Sequence, residues 1–335
     1  MCALSDGCCF LDVPIHSLVL LRHDFLDSDT QKESSVFNES VQPNRFAPQQ
    51  LPKLRFDSSH NKFNLPQLAV NQVTTYRWSL EQDLENYQKS GVGGIGVWRK
   101  KVNECGEDTA VEAIRNSSLP VTSVSFAGGF TGSMGFRFEE SIADSIDAIR
   151  LASALDARSV LVATGSKWQH IKSNAVRLVD DGLKRLGDIA GELEVKLALH
   201  PMCSPTSDLY SFLDDLNETL DAIDRCNHSA VGLAFSSFHH RHEADMLNRL
   251  AAISHLVASV QLSDFRPLDD GSFERCAIGE GDLPLGAMVR TLMESGYDGP
   301  FELDLWSNQV WGADYSALLA QQVDTFEDIV GRAAV

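Results

Sequence analysis

The sequence has no apolar run long enough to span a membrane. The most apolar stretch near its start, Leu18–Leu21, follows His16 and is followed by Arg22. A membrane-spanning helix needs roughly 20 consecutive apolar residues. The beginning of the chain also has no basic region followed by the apolar segment of a secretory signal. We therefore expect no membrane association.

Cysteine pairs at metal-binding spacing are missing as well. The chain has 7 cysteines, and apart from the adjacent Cys8 and Cys9 they are scattered. No paired C-x-x-C, H-E-x-x-H or P-loop motif is present. An odd number of scattered cysteines in a chain of 335 residues is typical of free thiols in a reducing compartment. We therefore expect a cytoplasmic protein.

Positive charge is also scarce. There are 28 Lys and Arg residues against 47 Asp and Glu residues, so the formal net charge is −19. Proteins that hold nucleic acids neutralise phosphates with Lys and Arg, so this balance predicts no nucleic-acid partner. A small anionic substrate remains compatible with it, because local cations can outweigh the global field.

What is present divides the chain into two parts. Residues 1–66 are rich in Ser, Asp, Asn and Gln, show no sustained periodicity and contain Pro43, Pro48, Pro52 and Pro66. We interpret them as a largely irregular N-terminal extension. Residues 67–335 have an ordinary globular composition and predict a single large domain.

The larger part alternates short apolar strands with amphipathic helices. The strands are predicted at Leu68–Thr75, Gly94–Trp98, Pro120–Phe126, Ser159–Ala163, Val195–His200, Val231–Ser236, Leu256–Leu262 and Phe301–Leu305. A helix is predicted to begin after Ser79, with Glu81 and Asp83 in its first turns. Eight successive βα units over about 260 residues favour an α/β fold of the (β/α)8 TIM barrel type over a doubly wound sheet.

Polar residues stand at the carboxyl ends of the last four predicted strands. The two-residue period of a strand points His200, Ser236, Gln261 and Asp304 inward, with Glu302 one layer deeper. TIM barrels carry their active sites at this end. We interpret these residues as a ligand or catalytic site, and the alternative is a set of hydrogen-bonded barrel-layer residues.

Six short motifs occur in order along residues 67–335. They are Asn71–Gln82, Gly96–Arg99, Gly128–Phe130, Leu197–Pro201, Gly279–Asp282 and Gly296–Pro300. In this order and spacing they resemble the sugar phosphate isomerase/epimerase family, within the xylose isomerase-like TIM barrel superfamily.

The resemblance implies a divalent metal held by Glu, Asp, His and Glu at the ends of strands five to eight. Position by position, this sequence has His200, Ser236, Gln261 and Asp304 there, so all four ligands are replaced. Mg²⁺ and Mn²⁺ prefer anionic oxygen, and Zn²⁺ needs more than two protein ligands for a tight site. We therefore expect either a weakly bound divalent metal (Mn²⁺, Mg²⁺ or Zn²⁺) on His200 and Asp304 or no metal.

The function implied by the resemblance is isomerisation or epimerisation of a small polyhydroxylated carbonyl compound. His200 and Asp304 are then the expected catalytic pair, moving protons on opposite sides of a bound sugar. The alternative is a divergent, non-catalytic member that binds a sugar-like ligand without metal. Apurinic-site endonucleases share the superfamily but need more metal ligands and basic patches. A homo-oligomer is compatible with the sequence.

Further residues at the predicted strand ends are candidate substrate contacts. They are Trp98, Arg99, Lys167, Ser236, His239, Gln261, Asp264, Arg275, Glu302 and Trp306. Aromatic faces suit a sugar ring, and the cations suit an enediolate, phosphate or carboxylate. The alternatives are core packing for the aromatics and solvated ion pairs for the cations.

Overall fold

The computed structural model describes residues 66–203, 207–268 and 273–333. Within them, eight parallel strands form a closed barrel with helices around it. The prediction of an α/β (β/α)8 TIM barrel is therefore confirmed. Residues 1–65 of the predicted N-terminal extension lie outside the described residues. Among the described helices, none combines the length and apolar character that crossing a membrane would require.

The barrel strands are short, rich in Val, Leu, Ile and Ala, and mostly buried on both faces, as expected for a parallel barrel. Their bounds are β1 Leu68–Asn71, β2 Gly94–Trp98, β3 Val121–Gly128, β4 Ser159–Ala163, β5 Lys196–Leu199, β6 Val231–Ser236, β7 Val257–Leu262, β8 Asp264–Pro267, β9 Phe273–Cys276 and β10 Phe301–Leu303. The barrel order is β1, β2, β3, β4, β5, β6, β7 and β10, and β10 closes it by pairing with β1. The remaining strands, β8 and β9, form a separate antiparallel pair.

Helices fill most of the connections between the barrel strands. Their bounds are α1 Leu80–Lys89, α2 Arg99–Cys105, α3 Glu107–Ser117, α4 Phe138–Ala154, α5 Lys172–Glu192, α6 Ser207–Tyr210, α7 Leu216–Cys226, α8 Met246–Ile253, α9 Leu285–Glu294, α10 Asn308–Gly312 and α11 Tyr315–Ala333. The predicted start at Ser79 is confirmed. Its Oγ accepts from the amide of Gln82, and the Gln82 side chain accepts from the Ser79 amide, which satisfies two free donors.

The buried apolar side chains form two clusters. The larger one contains residues from the barrel strands and from the helices that surround them. The smaller one consists of Leu161, Ala198, Ala234 and Ala258 from β4 to β7, with Phe126 packed against it. The ring of Phe126 also meets the ring of His200 edge-on, at 6.1 Å between centroids. Apolar packing therefore reaches directly to the first of the predicted site residues.

The β8–β9 hairpin follows β7 and was not predicted. The carboxylate of Asp264 organises the chain around it by accepting from the amides of Phe265, Gly279 and Leu283. Gly281 packs so closely that an added Cβ would lie 2.3 Å from the carbonyl oxygen of Phe265. The Gly279–Asp282 motif thus has a structural role, and the hairpin it supports carries Arg275.

Candidate functional site

A chain of hydrogen bonds crosses the barrel between β5, β7 and β10. Nε2 of His200 is 3.1 Å from Oε1 of Gln261, and Nε2 of Gln261 donates to Oε1 of Glu302 at 3.1 Å. All three side chains are buried. Because the amide oxygen accepts, the proton of the neutral imidazole lies on Nε2. The two-residue period that predicted inward side chains therefore brings these residues into contact.

Glu302 is the buried acidic residue at the end of this chain of hydrogen bonds. Its carboxylate also accepts from Asn71 at 2.7 Å, from Ser123 at 2.9 Å and from Thr122. Burial raises the pKa of Glu302 to about 7, and these hydrogen bonds only partly oppose the shift. Gly96 makes room for the carboxyl group, because a Cβ there would lie 2.6 Å from its carbon.

His200 presents an unused acceptor inside the barrel. Burial lowers the pKa of His200 to about 3, so the ring is neutral at physiological pH. With the proton on Nε2, Nδ1 carries a lone pair, and this buried atom has no hydrogen-bond partner in the described part of the chain. A buried acceptor without a partner costs about 1–3 kcal/mol, so a donor from a water molecule or from a ligand fits this position.

Asp304 and Arg275 form an ion pair next to this chain. Nη1 of Arg275 donates to Oδ2 of Asp304 at 2.7 Å and to its carbonyl oxygen at 3.2 Å. Both side chains are buried. Burial raises the pKa of Asp304, and the neighbouring guanidinium only partly offsets the effect. Of the four replaced positions, residue 304 has a carboxylate, and the β8–β9 hairpin places the cation of Arg275 against it.

His239 contacts both the Asp304–Arg275 ion pair and the hydrogen-bonded chain that contains His200. Its Nε2 is 3.0 Å from Nη2 of Arg275, and its ring centroid is 5.3 Å from that of His200. The His239 amide donates to Oγ of Ser236 at 3.4 Å. Burial, reinforced by the charge of Arg275, lowers the pKa of His239 well below its usual range. The site consequently holds two neutral imidazoles beside one buried ion pair.

Aromatic side chains surround this end of the barrel in two groups. Trp306 meets Phe126 at 5.9 Å and Tyr210 at 6.2 Å between ring centroids. Phe126 is also the ring that contacts His200. In the second group, Tyr76 lies between Trp98 and Trp311. Such apolar faces beside hydrogen-bonding groups match the two-sided chemistry of a sugar.

Some predicted substrate contacts are occupied elsewhere. Arg99 forms two hydrogen bonds with Asp144 on α4, at 2.8 Å and 2.9 Å, and a third with the carbonyl of Phe126. Asp264 is engaged with the loop amides described above. Lys167 is exposed in the loop after β4. Among the predicted residues, the structure brings together His200, Ser236, His239, Gln261, Arg275, Glu302 and Asp304.

The donor set does not match a divalent-metal site. Within the described ranges, no group of three or more His, Cys, Asp or Glu side chains is placed to hold a metal ion. The carboxylate of Asp304 is paired with Arg275, and Nε2 of His200 faces Gln261. Mg²⁺ and Mn²⁺ require several anionic oxygens. His200 and Asp304, the two expected ligands, offer one carboxylate, and Arg275 already neutralises it.

Sequence reasoning missed several members of the site. Asn71, Thr122 and Ser123 bind Glu302 from β1 and β3, and the prediction named none of the three as a site residue. Cys203 and Arg241 lie beside His239 and were not singled out. The strand period could have identified Asn71, but no local pattern in the sequence indicates that Arg241 approaches Cys203.

Known proteins similar to this chain share its barrel. The sequence profile of the xylose isomerase-like TIM barrel matches residues 84–328. L-ribulose-5-phosphate 3-epimerase UlaE of Escherichia coli (strain K12) is 29% identical over 168 residues, which are 48% of this chain and 54% of UlaE. The chain thus spans about half the length of the curated relatives it matches.

Solved structures with the same architecture cover most of the chain. Protein SMc04130 from Sinorhizobium meliloti 1021 has a TM-score of 0.71 at 21% identity, over 78% of this chain and 98% of that chain. D-allulose 3-epimerase from Methylomonas sp. has a TM-score of 0.64 at 12% identity, over 79% and 98%. At such identities the likeness shows the fold alone.

Proposed function

Because the chain belongs to the xylose isomerase-like TIM barrel family, we propose that its barrel mouth binds a small polyhydroxylated carbonyl compound without a divalent metal. Its sequence relative UlaE, an L-ribulose-5-phosphate 3-epimerase, supports the ligand class. The replacement of all four expected metal ligands supports the metal-free mode. Within a family whose similar members include sugar epimerases, this chain is thus a divergent sugar-binding barrel.

One observation carries the proposal: the unpartnered Nδ1 of His200. A buried neutral imidazole with a bare lone pair accepts a hydrogen bond from an O–H or N–H donor and repels an anion. A sugar hydroxyl is such a donor. Arg275 has N–H groups at the same site for a carbonyl oxygen, and the rings of Phe126 and Trp306 suit the apolar face of the ligand.

The binding test uses a panel of ketoses, aldoses and their phosphates in the presence of a chelator. We expect a ligand-dependent rise in melting temperature that the chelator does not remove. Replacing His200 with Phe keeps a ring of similar volume without an acceptor, and it should weaken the selected ligand about tenfold. His255→Phe, at an exposed position before β7, is the matched control and should bind like the wild type. Binding that requires added Mn²⁺ contradicts the proposal.

A second candidate is proton transfer at a carbon next to the ligand carbonyl, and the Asp304–Arg275 pair favours it. A carboxyl whose pKa is raised by burial is a stronger base than a solvated one, and a fixed guanidinium stabilises a developing oxyanion. The low pKa of His200 leaves Asp304 as the better base at neutral pH. In this candidate His200 binds and orients the ligand.

Deuterium exchange separates the two candidates. The bound sugar is incubated with the protein in D₂O, and NMR follows deuterium incorporation at its carbon positions. Enzyme-dependent incorporation that Asp304→Asn abolishes supports isomerisation or epimerisation. Tight binding with no incorporation supports a binding protein. His200→Ala is expected to remove any turnover while the protein stays folded, because the ligand loses its buried acceptor.

A further inference from the structure

Cys203 follows β5 and lies beside the candidate site. Its half-buried Sγ is 2.7 Å from Nη1 of Arg241 and 3.2 Å from Nδ1 of His239. A guanidinium has no acceptor atom, so the sulfur accepts from Arg241. Arg275 contacts Nε2 of His239, on the far side of the ring from the sulfur, and its positive charge also acts on the sulfur. Cys203 is therefore exposed to the fields of two cations.

Aromatic rings hold the cation that contacts the sulfur. The guanidinium carbon of Arg241 lies 3.9 Å from the ring centroid of Phe273 and 4.5 Å from that of Phe238. Its Nη1 also donates to the carbonyl of Phe238 at 2.9 Å. The guanidinium of Arg275 lies 4.4 Å from the same Phe238 ring. These contacts fix both cations in place, so their effect on the sulfur is built into the fold.

We propose that Cys203 is a modification site, a nucleophilic thiol that small hydroperoxides oxidise to a sulfenic acid. Cations beside a cysteine favour the anionic sulfur that attacks electrophiles. The sulfur attacks one peroxide oxygen, a sulfur–oxygen bond forms and the oxygen–oxygen bond breaks. The second oxygen leaves with the electron pair as hydroxide or alkoxide and takes a proton from water. The sulfur is oxidised by two electrons, and the peroxide is reduced by two.

The chain contains its own comparison for Cys203. Cys105 is also half-buried, but its Sγ lies 3.5 Å from Oε1 of Glu81. Burial and this carboxylate raise the pKa of Cys105. Cys276 is buried on β9, and burial raises its pKa to about 12. Two half-buried cysteines, Cys203 and Cys105, thus differ in the sign of the neighbouring charge.

The test measures alkylation of the full, reduced chain by iodoacetamide at neutral pH, with peptide mapping to assign the label. We expect Cys203 to react at least about tenfold faster than Cys105. Arg241→Gln should slow Cys203 to a rate near that of Cys105, and Arg241→Lys should retain most of the rate. Cys276 reports on folding, because it stays unlabelled while the hairpin is intact.

A second measurement follows oxidation. After brief exposure to hydrogen peroxide, a sulfenic-acid trap such as a cyclic 1,3-diketone should label Cys203 before Cys105. Equal alkylation rates at the two cysteines overturn the proposal. So does an Arg241→Gln variant that remains folded, with Cys276 unlabelled, and reacts as fast as the wild type. Neither experiment depends on sugar binding, so the result is independent of the proposed function.

Discussion

Single residues inside this barrel are governed by the cost of burying polar atoms. Glu302 keeps its place because four side chains donate to it, and His200 keeps its place because Gln261 accepts from it. The inward direction of these residues follows from the two-residue strand period, so the sequence could predict it. The partner of Asp304 could not be predicted, because Arg275 reaches it from a hairpin whose fold depends on distant loop amides.

The pH dependence of stability should depend on Glu302. Its pKa is about 7 in the folded protein, against about 4.3 for an unfolded chain. The folded state therefore binds the proton more tightly, and the stability contributed by Glu302 is complete below about pH 4 and is lost as the pH rises through 7. Relative to Glu302→Gln, the free energy of unfolding of the wild type should fall by about 3 kcal/mol between about pH 4 and pH 8.

Urea denaturation of both proteins across this pH range measures the difference. The amide group of Glu302→Gln faces the same donors at every pH, so it shifts the free energy of unfolding by a constant amount. This constant does not affect how the difference between the two proteins changes with pH. Glu85→Gln is the control, because Glu85 is exposed and its hydrogen bond with Lys89 lowers its pKa. Parallel profiles for the wild type and Glu302→Gln would show that burial does not raise the pKa of Glu302.

Strands and helices with regular periodicity were predicted well. The bounds of β2, β4 and β6 agree with the prediction, whereas β1 and β10 are shorter than predicted. β1 ends at Asn71 because a turn begins there, in which the amide of Thr74 donates to the carbonyl of Asn71. The β8–β9 hairpin was missed since each strand has 4 residues, too few to show an alternating pattern. Its stability comes from Asp264 and from close backbone packing at Gly281. Such tertiary causes leave no periodic trace in a sequence.

Gly281→Ala should disrupt this hairpin. The added Cβ would lie 2.3 Å from the carbonyl oxygen of Phe265 and 2.5 Å from Oδ1 of Asp264, so the backbone has to move. We expect a loss of about 2 kcal/mol in the free energy of unfolding. Ligand affinity should fall with it, because the hairpin carries Arg275. Gly286→Ala on α9 is the control: it meets no atom within 4 Å and should be neutral or stabilising. Equal stability of the two variants would contradict this account.

A buried ion pair joins α1 to α2. Nζ of Lys101 is 2.6 Å from Oδ2 of Asp83, and Thr75 and Gln72 each donate to the same carboxylate at 2.7 Å. Removing the cation strands a buried charge, so Lys101→Met should cost about 3–5 kcal/mol. Burial already raises the pKa of Asp83 to about 6, so the cost should be smallest at acidic pH, where the carboxyl is protonated.

Thermal and urea denaturation at two pH values test this expectation. The double variant Asp83→Asn with Lys101→Met should recover part of the lost stability, because no unpaired charge remains. Lys89→Met removes the cation of an exposed pair on α1 and should change stability little. If the single buried variant were as stable as this surface variant, the Asp83–Lys101 pair would not hold the two helices.

For the whole molecule, the barrel and its family were predictable, whereas the state of its centre was not. The order of eight βα units and six motifs determines the fold, and replacement of four ligands is visible by position. The sequence does not show that Arg275 brings a fixed positive charge to this centre. The guanidinium of Arg275 neutralises the carboxylate of Asp304, which a metal would need as a ligand. Reverting the ligands alone should therefore restore only part of a metal site.

Two designed variants test this last point. The first combines His200→Glu, Ser236→Asp, Gln261→His and Asp304→Glu, and the second adds Arg275→Met. The second variant should bind Mn²⁺ orders of magnitude more tightly than the wild type, because three carboxylates and an imidazole suit this ion. The first should gain less, since the guanidinium of Arg275 competes for residue 304 and repels the cation. Titration calorimetry measures both affinities, and circular dichroism checks the fold. Equal affinities in two folded variants would show that Arg275 does not oppose the metal, and no gain in either would show that the four positions do not form one coordination sphere.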